Sequence, residues 1–242
     1  MGEHGQPWHT AKSRSTKSYL LKEAAMSKPL AYLSILLMLG LCAVLVAEDK
    51  PADKAAAPEV DKEGFRLLFN NKDLTGWKAD DEAKKHWLIA DGIIKYDGKN
   101  KDLWTQDTFT DFILKVDWRL IEKGGDSGIY LRGTSKCQVN IWCDALGSGE
   151  VYGYRTDSKQ PDEVRKGCTP KKKADKPVGE WNSFVITLKG DRLTVVLNGD
   201  EVISNAQLPG APAKGPIALQ HHGNPIEFRN IAIKELKEPA AK

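Results

Sequence analysis

The sequence predicts an all-β protein built as two stacked antiparallel sheets, and three observations predict it. Short runs with apolar residues at every second position recur from Gly64 onward, most clearly in FILKVDWRL, 112–120. A period of two is the mark of a strand with one buried face. Turn pairs that accept positive φ separate the runs: Asp91-Gly92, Gly190-Asp191 and Asn198-Gly199. About a dozen strands follow one another without a convincing helix, which points to a β-sandwich. A nucleotide-binding α/β fold is excluded, because neither GxGxxG nor GxxxxGK[ST] occurs. GxSxG, HExxH and CxxC are absent as well.

Taken in order, GFRLLFN (64–70) leads into a turn framed by Asp73 and Gly76. Trp87 to Ala90 and Gly92 to Tyr96 form a hairpin at Asp91-Gly92. Leu103 to Thr105 is a short strand, then come Phe112 to Leu120 and, after a GGDS turn, Gly128 to Arg132. Cys137 to Asp157 (CQVNIWCDALGSGEVYGYRTD) begins as an alternating strand and ends as a Gly- and Tyr-rich loop. The polar segment 158–180, with Lys171 to Lys173, reads as a solvated loop. Ser183 to Lys189, Arg192 to Leu197 and Glu201 to Ile203 are joined by two tight turns; strands at Pro216 to His221 and Ile226 to Glu235 close the chain.

Ahead of this region, residues 30–47 (LAYLSILLMLGLCAVLVA) are uncharged and largely apolar, with Lys28 before them and Glu48-Asp49-Lys50 after. That order predicts an export signal over 26–47, cleaved after Ala47, with Met26 as its natural start and 1–25 as a non-structural extension. The alternatives are an uncleaved membrane anchor through 30–47 and lipidation at Cys42. In each case the protein is expected to be exported, periplasmic or extracellular. Residues 48–63 (through EDKPADKAAAPEV) read as a flexible tether, 64–237 as one domain and 238–242 as a tail. Residues 1–47 hold five of the 36 Lys and Arg and two of the 33 Asp and Glu, which leaves 31 of each. The basic balance of the whole chain is therefore no argument for a nucleic-acid partner. Cys137 and Cys143 lie about 20 Å apart on one strand, too far to bond to each other. Either one pairs with Cys168 or all three are buried free thiols.

Strand parity puts Cys137, Val139, Ile141 and Cys143 on a core face and Gln138, Asn140 and Trp142 on the opposite one. Two amides beside an indole suit a polar ring such as a sugar better than they suit bare water. The loop that follows adds Glu150, Tyr152, Tyr154 and Arg155, an acid, two aromatics and a fork donor.

LFNNKDLTGW (68–77), GDSGIYLR (125–132), the 137–157 stretch, GEWN (179–182), LNG (197–199), GPIALQHHG (215–223) and EFRNIAIKEL (227–236) occur in this order. Together they resemble the 3-keto-disaccharide hydrolase domain family of secreted bacterial proteins, over essentially all of 64–236. The resemblance implies a concanavalin-like jelly roll whose concave sheet carries a sugar site. It also implies cleavage of glycosides already oxidised at C3, by C2 proton abstraction and elimination of the C1 aglycone. Such a reaction requires a base, a donor or cation for the enolate oxygen, and a proton for the leaving group. It does not require the paired carboxylates of an ordinary glycosidase.

On those roles, parity turns Gln220 and His222 to the site side, opposite Ile217 and Leu219, and makes His222 the first choice for acid–base work, since histidine titrates nearest neutral pH. His221 has the wrong parity. Asp126 stands in the preceding Gly-rich turn as a second acid–base candidate, or as a turn residue only. Arg132, turned away from Ile129 and Leu131, is a candidate for the enolate or a hydroxyl, or a surface ion pair. Where many relatives read YEVQI this chain reads CQVNI, so Gln138 and Asn140 stand at the Glu and Gln positions. An amide is no base, so the acid–base role falls to Glu150, Asp126 or His222, or the chain is a non-catalytic carbohydrate-binding module. A purely structural surface module is the third reading. No metal motif is present and no metal ligand is assigned. A divalent ion, held by His221 or His222 with Asp126 or Glu150, is the one cofactor left open.

Overall fold

Alternating residues close into two sheets in the computed structural model, which describes residues 60–237. The expected extension, export signal and tail, and most of the expected tether, lie outside the described residues. Among the described residues no helix is long and apolar enough to cross a membrane. The larger sheet contains β1 (Arg66–Leu67), β2 (Trp87–Ala90), β3 (Ile93–Tyr96), β5 (Phe112–Leu120), β8 (Asn182–Lys189), β9 (Arg192–Leu197), β10 (Asp200–Gln207) and β12 (Ile226–Glu235). The smaller contains β4 (Leu103–Trp104), β6 (Asp126–Leu131), β7 (Thr134–Trp142) and β11 (Ala218–Leu219). Their orders are β10-β9-β8-β5-β12-β3-β2, with β1 added on β12, and β4-β11-β6-β7. Every pairing is antiparallel. The chain is thus the expected all-β jelly-roll sandwich.

The tight turns have the expected chemistry. Asp91 and Gly92 sit at φ 56° and 72°, and Asn198 and Gly199 at 54° and 90°, as a hairpin turn matched to strand twist requires. Inward side chains of both sheets form one core: Val116, Trp118, Phe184 and Phe228 from the larger meet Leu103, Ile129, Val139 and Ile141 from the smaller. Burying each large apolar side chain contributes about 1.5–3 kcal/mol. The chain joins the fold before Gly64, since Val60 bridges to Arg66 and the Asp61 carboxylate accepts N–H bonds from Glu63 and Phe65.

The expectation of no helix is corrected by two short ones, α1 (Tyr152–Arg155) and α2 (Asp162–Gly167). Neither is long enough to show an apolar period. α2 does carry the end signals of a helix: Pro161 before it, Asp162 and Glu163 in its first turn, Arg165 and Lys166 in its last. These charges complement the helix dipole. Cys137, Cys143 and Cys168 are free, and Cys137 and Cys168 are buried.

Candidate functional site

The outward face of the smaller sheet carries the polar residues that parity singled out. In the register of β6 and β7, Asp126 stands opposite Trp142, Gly128 opposite Asn140 and Tyr130 opposite Gln138. On the other flank of β6, β11 pairs Ala218 with Tyr130, and Gln220, the first residue past the strand, donates its backbone N–H to Gly128 O at 2.9 Å. Asp126, Gln138, Asn140, Trp142, Tyr152, Gln220 and His222 thereby line one cleft of about 160 Å³. Seven of the eleven residues singled out in the sequence meet there.

Three amides form its floor. Gln138 Nε2 donates to Asn140 Oδ1 at 2.7 Å and to Gln220 Oε1 at 2.8 Å. Asn140 Nδ2 donates to Glu150 Oε1 at 3.3 Å, and the other Glu150 oxygen accepts from Arg155 Nε. Gln138, Asn140 and Gln220 are buried although they point away from the core. Glycine at 128 makes this arrangement fit: a Cβ there would lie 2.6 Å from Gln138 Nε2. Parity finds Gln138 but gives no sign that Gly128 is the gap its amide lies across.

One wall is held rigidly. Trp142 donates its backbone N–H to Ser148 Oγ at 3.1 Å, and its indole N–H donates to Gly147 O at 3.1 Å. Ser148 is in turn fixed by Asp175 through its backbone N–H and its hydroxyl. Neither Ser148 nor Asp175 was singled out, since no strand pattern links them to the site.

At the opposite end His222 Nδ1 lies 3.7 Å from Asp126 Oδ2. Burial raises the Asp126 pKa above the ordinary carboxylate value, and the His222 charge offsets this only in part. Beside the cleft, burial foremost and then the Asp102 charge push the Tyr130 phenol up to about 12, so it remains a neutral donor.

Four expected residues are placed elsewhere. Glu150 is fully buried, bonded to Asn140 and ion-paired with Arg155, and does not line the cleft. Arg155 is spent on that pair. Tyr154 is buried against the core side of β7, where its hydroxyl donates to Pro209 O at 3.2 Å. The turn of α1 separates it from Tyr152, so the loop does not present both rings to one side. Arg132 adopts φ 49°, ends β6 and turns away from the cleft. Its guanidinium is tied to Thr110 O, Gly190 O, Pro212 O and Asp111, which makes it a clasp between loops. His221 also stands apart, its ring bonded to the Tyr96 hydroxyl. Among the described residues no group of three or more His, Cys, Asp or Glu side chains is placed to hold a metal ion.

Residues 64–234 match a family model described as the 3-keto-alpha-glucoside-1,2-lyase-like domain. A curated 3-keto-disaccharide hydrolase from Bacteroides thetaiotaomicron is 26% identical over 233 residues, covering 73% of this chain and 80% of that protein. Among solved structures, a candidate glycosyl hydrolase from Parabacteroides distasonis superposes with a TM-score of 0.57 at 24% identity, over 74% of this chain and 99% of that one. A second crystal structure described in the same words gives the same TM-score over 83% of this chain and 100% of that one. The structural likeness shows a shared fold.

Proposed function

The chain belongs to the family of 3-keto-alpha-glucoside-1,2-lyase-like domains, and we propose that it is a hydrolase of glycosides oxidised at C3, working by elimination and re-addition of water. The observation that carries this reading is the pairing, in one cleft, of a desolvated Asp126 and a neighbouring His222 with a floor of three amides.

In this reading the keto-sugar ring lies between Trp142 and Tyr152, with its hydroxyls on the amide floor. The Asp126 carboxylate takes the C2 proton; its raised pKa makes it a stronger base than a solvated carboxylate. The electron pair passes to the C3 carbonyl, and the resulting enolate oxygen is met by amide N–H groups of Gln220 and Asn140, a neutral oxyanion site in place of the cation expected from Arg132. The enolate expels the C1 substituent as the C1–C2 double bond forms, and protonated His222 gives its proton to the departing oxygen. Water then adds at C1, returning a proton to His222, and Asp126 returns its proton to C2. The net change is hydrolysis.

The test is release of aglycone from a 3-keto-glucoside by the purified full chain, with Asp126→Asn and His222→Ala each expected to lower kcat about 10²–10⁴-fold. Sugar binding by calorimetry without any turnover would replace this reading by the carbohydrate-binding module, which the amides at Gln138 and Asn140 favour. Export is part of the proposal, on the strength of the apolar 30–47 segment, and is read by finding the protein outside the cytoplasmic fraction.

A further inference from the structure

A second, larger cavity of about 460 Å³ adjoins the cleft, and Trp142 is a wall of both. It lies at the ends of β5 and β7 and the start of β8, covered by the 173–178 segment. Three features define what it would accept. Trp118, Leu120 and Val178 make much of its lining flat and apolar. Lys123, Lys173 and Lys176 also line it, and none of them forms an ion pair among the described residues. Lys173 and Lys176 donate only to the neutral carbonyls of Asp144 and Trp181. The single acid in the lining, Asp175, is engaged by Ser148. Finally, Trp118 Nε1–H is, among the described residues, the buried side-chain polar atom without a hydrogen-bond partner. Buried donors are rarely left so, because each lost its water on folding and gained nothing in exchange.

We propose that this cavity receives the leaving group of the substrate, and that it selects a flat apolar aglycone carrying an anionic group, an aryl carboxylate, over a second neutral sugar. This rests on the reading of the cleft as the seat of the keto-sugar ring. With the ring held against Trp142, the C1 substituent passes over the shared indole into the cavity. There its ring packs on Trp118 and Leu120, and its carboxylate meets the lysines.

The experiment compares methyl, glucosyl, phenyl and 4-carboxyphenyl 3-keto-glucosides as substrates of the full chain. The two aryl leaving groups differ modestly in acidity, so recognition is read from the response of their ratio to salt and to substitution, which bond strength does not share. The 4-carboxyphenyl compound is expected to exceed the phenyl one in kcat/KM by about tenfold at low salt, and the advantage to shrink in high salt. Lys123→Glu, at an exposed position, should abolish it while leaving the methyl glucoside unchanged. Trp118→Phe should raise KM for both aryl substrates. Turnover of all four without preference, or a preference that survives both substitutions, overturns the aglycone assignment and leaves the hydrolase reading standing. Turnover of none of them overturns both.

Discussion

The outward faces of the two sheets are made from the same strand geometry and have opposite characters. On the larger sheet, Lys115, Arg119, Glu227 and Arg229 point outward; Lys115 pairs with Glu63, Arg119 with Glu227, and the Arg119 and Arg229 guanidiniums lie 4.7 and 4.0 Å from the Trp181 ring centre. That face is closed by ion pairs and stacked guanidiniums; the exposed Lys115–Glu63 pair contributes about 0–1 kcal/mol. On the smaller sheet, Gln138, Asn140 and Gln220 point outward and yet are buried, bonded to one another and roofed by Trp142, Tyr152 and His222. Polar groups that face away from a core and are still desolvated must be held for a purpose other than solubility. The difference singles out the candidate site without reference to any relative.

Three substitutions sharpen or break this contrast. Phe228→Ala, in the core of the larger sheet, is expected to cost about 3–5 kcal/mol in urea unfolding with KM unchanged in the folded fraction. An altered KM would mean that the larger sheet shapes the site after all. Gly128→Ala places a methyl group against the Gln138 amide and should cost about 1–3 kcal/mol. Its signature is a raised KM, because the amide floor must break its bonds to move, and an unchanged KM would remove the floor from substrate binding.

The smallest effect is one of sign. The Asp126 pKa is raised in the folded state, so the fold binds this proton more tightly than the unfolded chain does. The stability that this contributes is present in full below the ordinary carboxylate pKa and is lost as pH rises through the raised value. Asn at 126 does not titrate, so the Tm of Asp126→Asn minus that of the parent should become more positive from pH 3 to pH 7. A difference that moves the other way would show that the carboxylate is stabilised where it lies.

Most of the strand framework was legible because one face of each strand is buried. The ranges of β2, β5, β9 and β12 follow from alternation and turn residues alone. The same parity found Gln138, Asn140, Trp142, Gln220 and His222, because each follows a strand whose core residues are unmistakable. It failed where the backbone leaves extended geometry. Arg132 sits one residue past the last strand position at positive φ, so counting by twos no longer gives its direction. Tyr154 and Arg155 lie within a single turn of helix, where neighbours diverge by about 100°, and Glu150 lies in the loop two residues before it, so a cluster in sequence is no cluster in space. The clamp on Trp142 depends on Asp175, 33 positions further along the chain than the residue it steadies, and no local pattern encodes a partner at that distance.

The ion pair of the buried Glu150 with Arg155 has a consequence that reaches past Asn140, the one amide it touches. An ionised carboxylate can only accept, so Asn140 must turn its NH2 toward Glu150 and its oxygen toward Gln138. Gln138 must then answer with its own NH2, and Gln220 with its oxygen. A single sealed negative charge thus sets the polarity of three dipoles in succession, as a magnet aligns a row of needles, and fixes which end of each a sugar would find. Neutral Gln at 150 would free every needle to turn end for end.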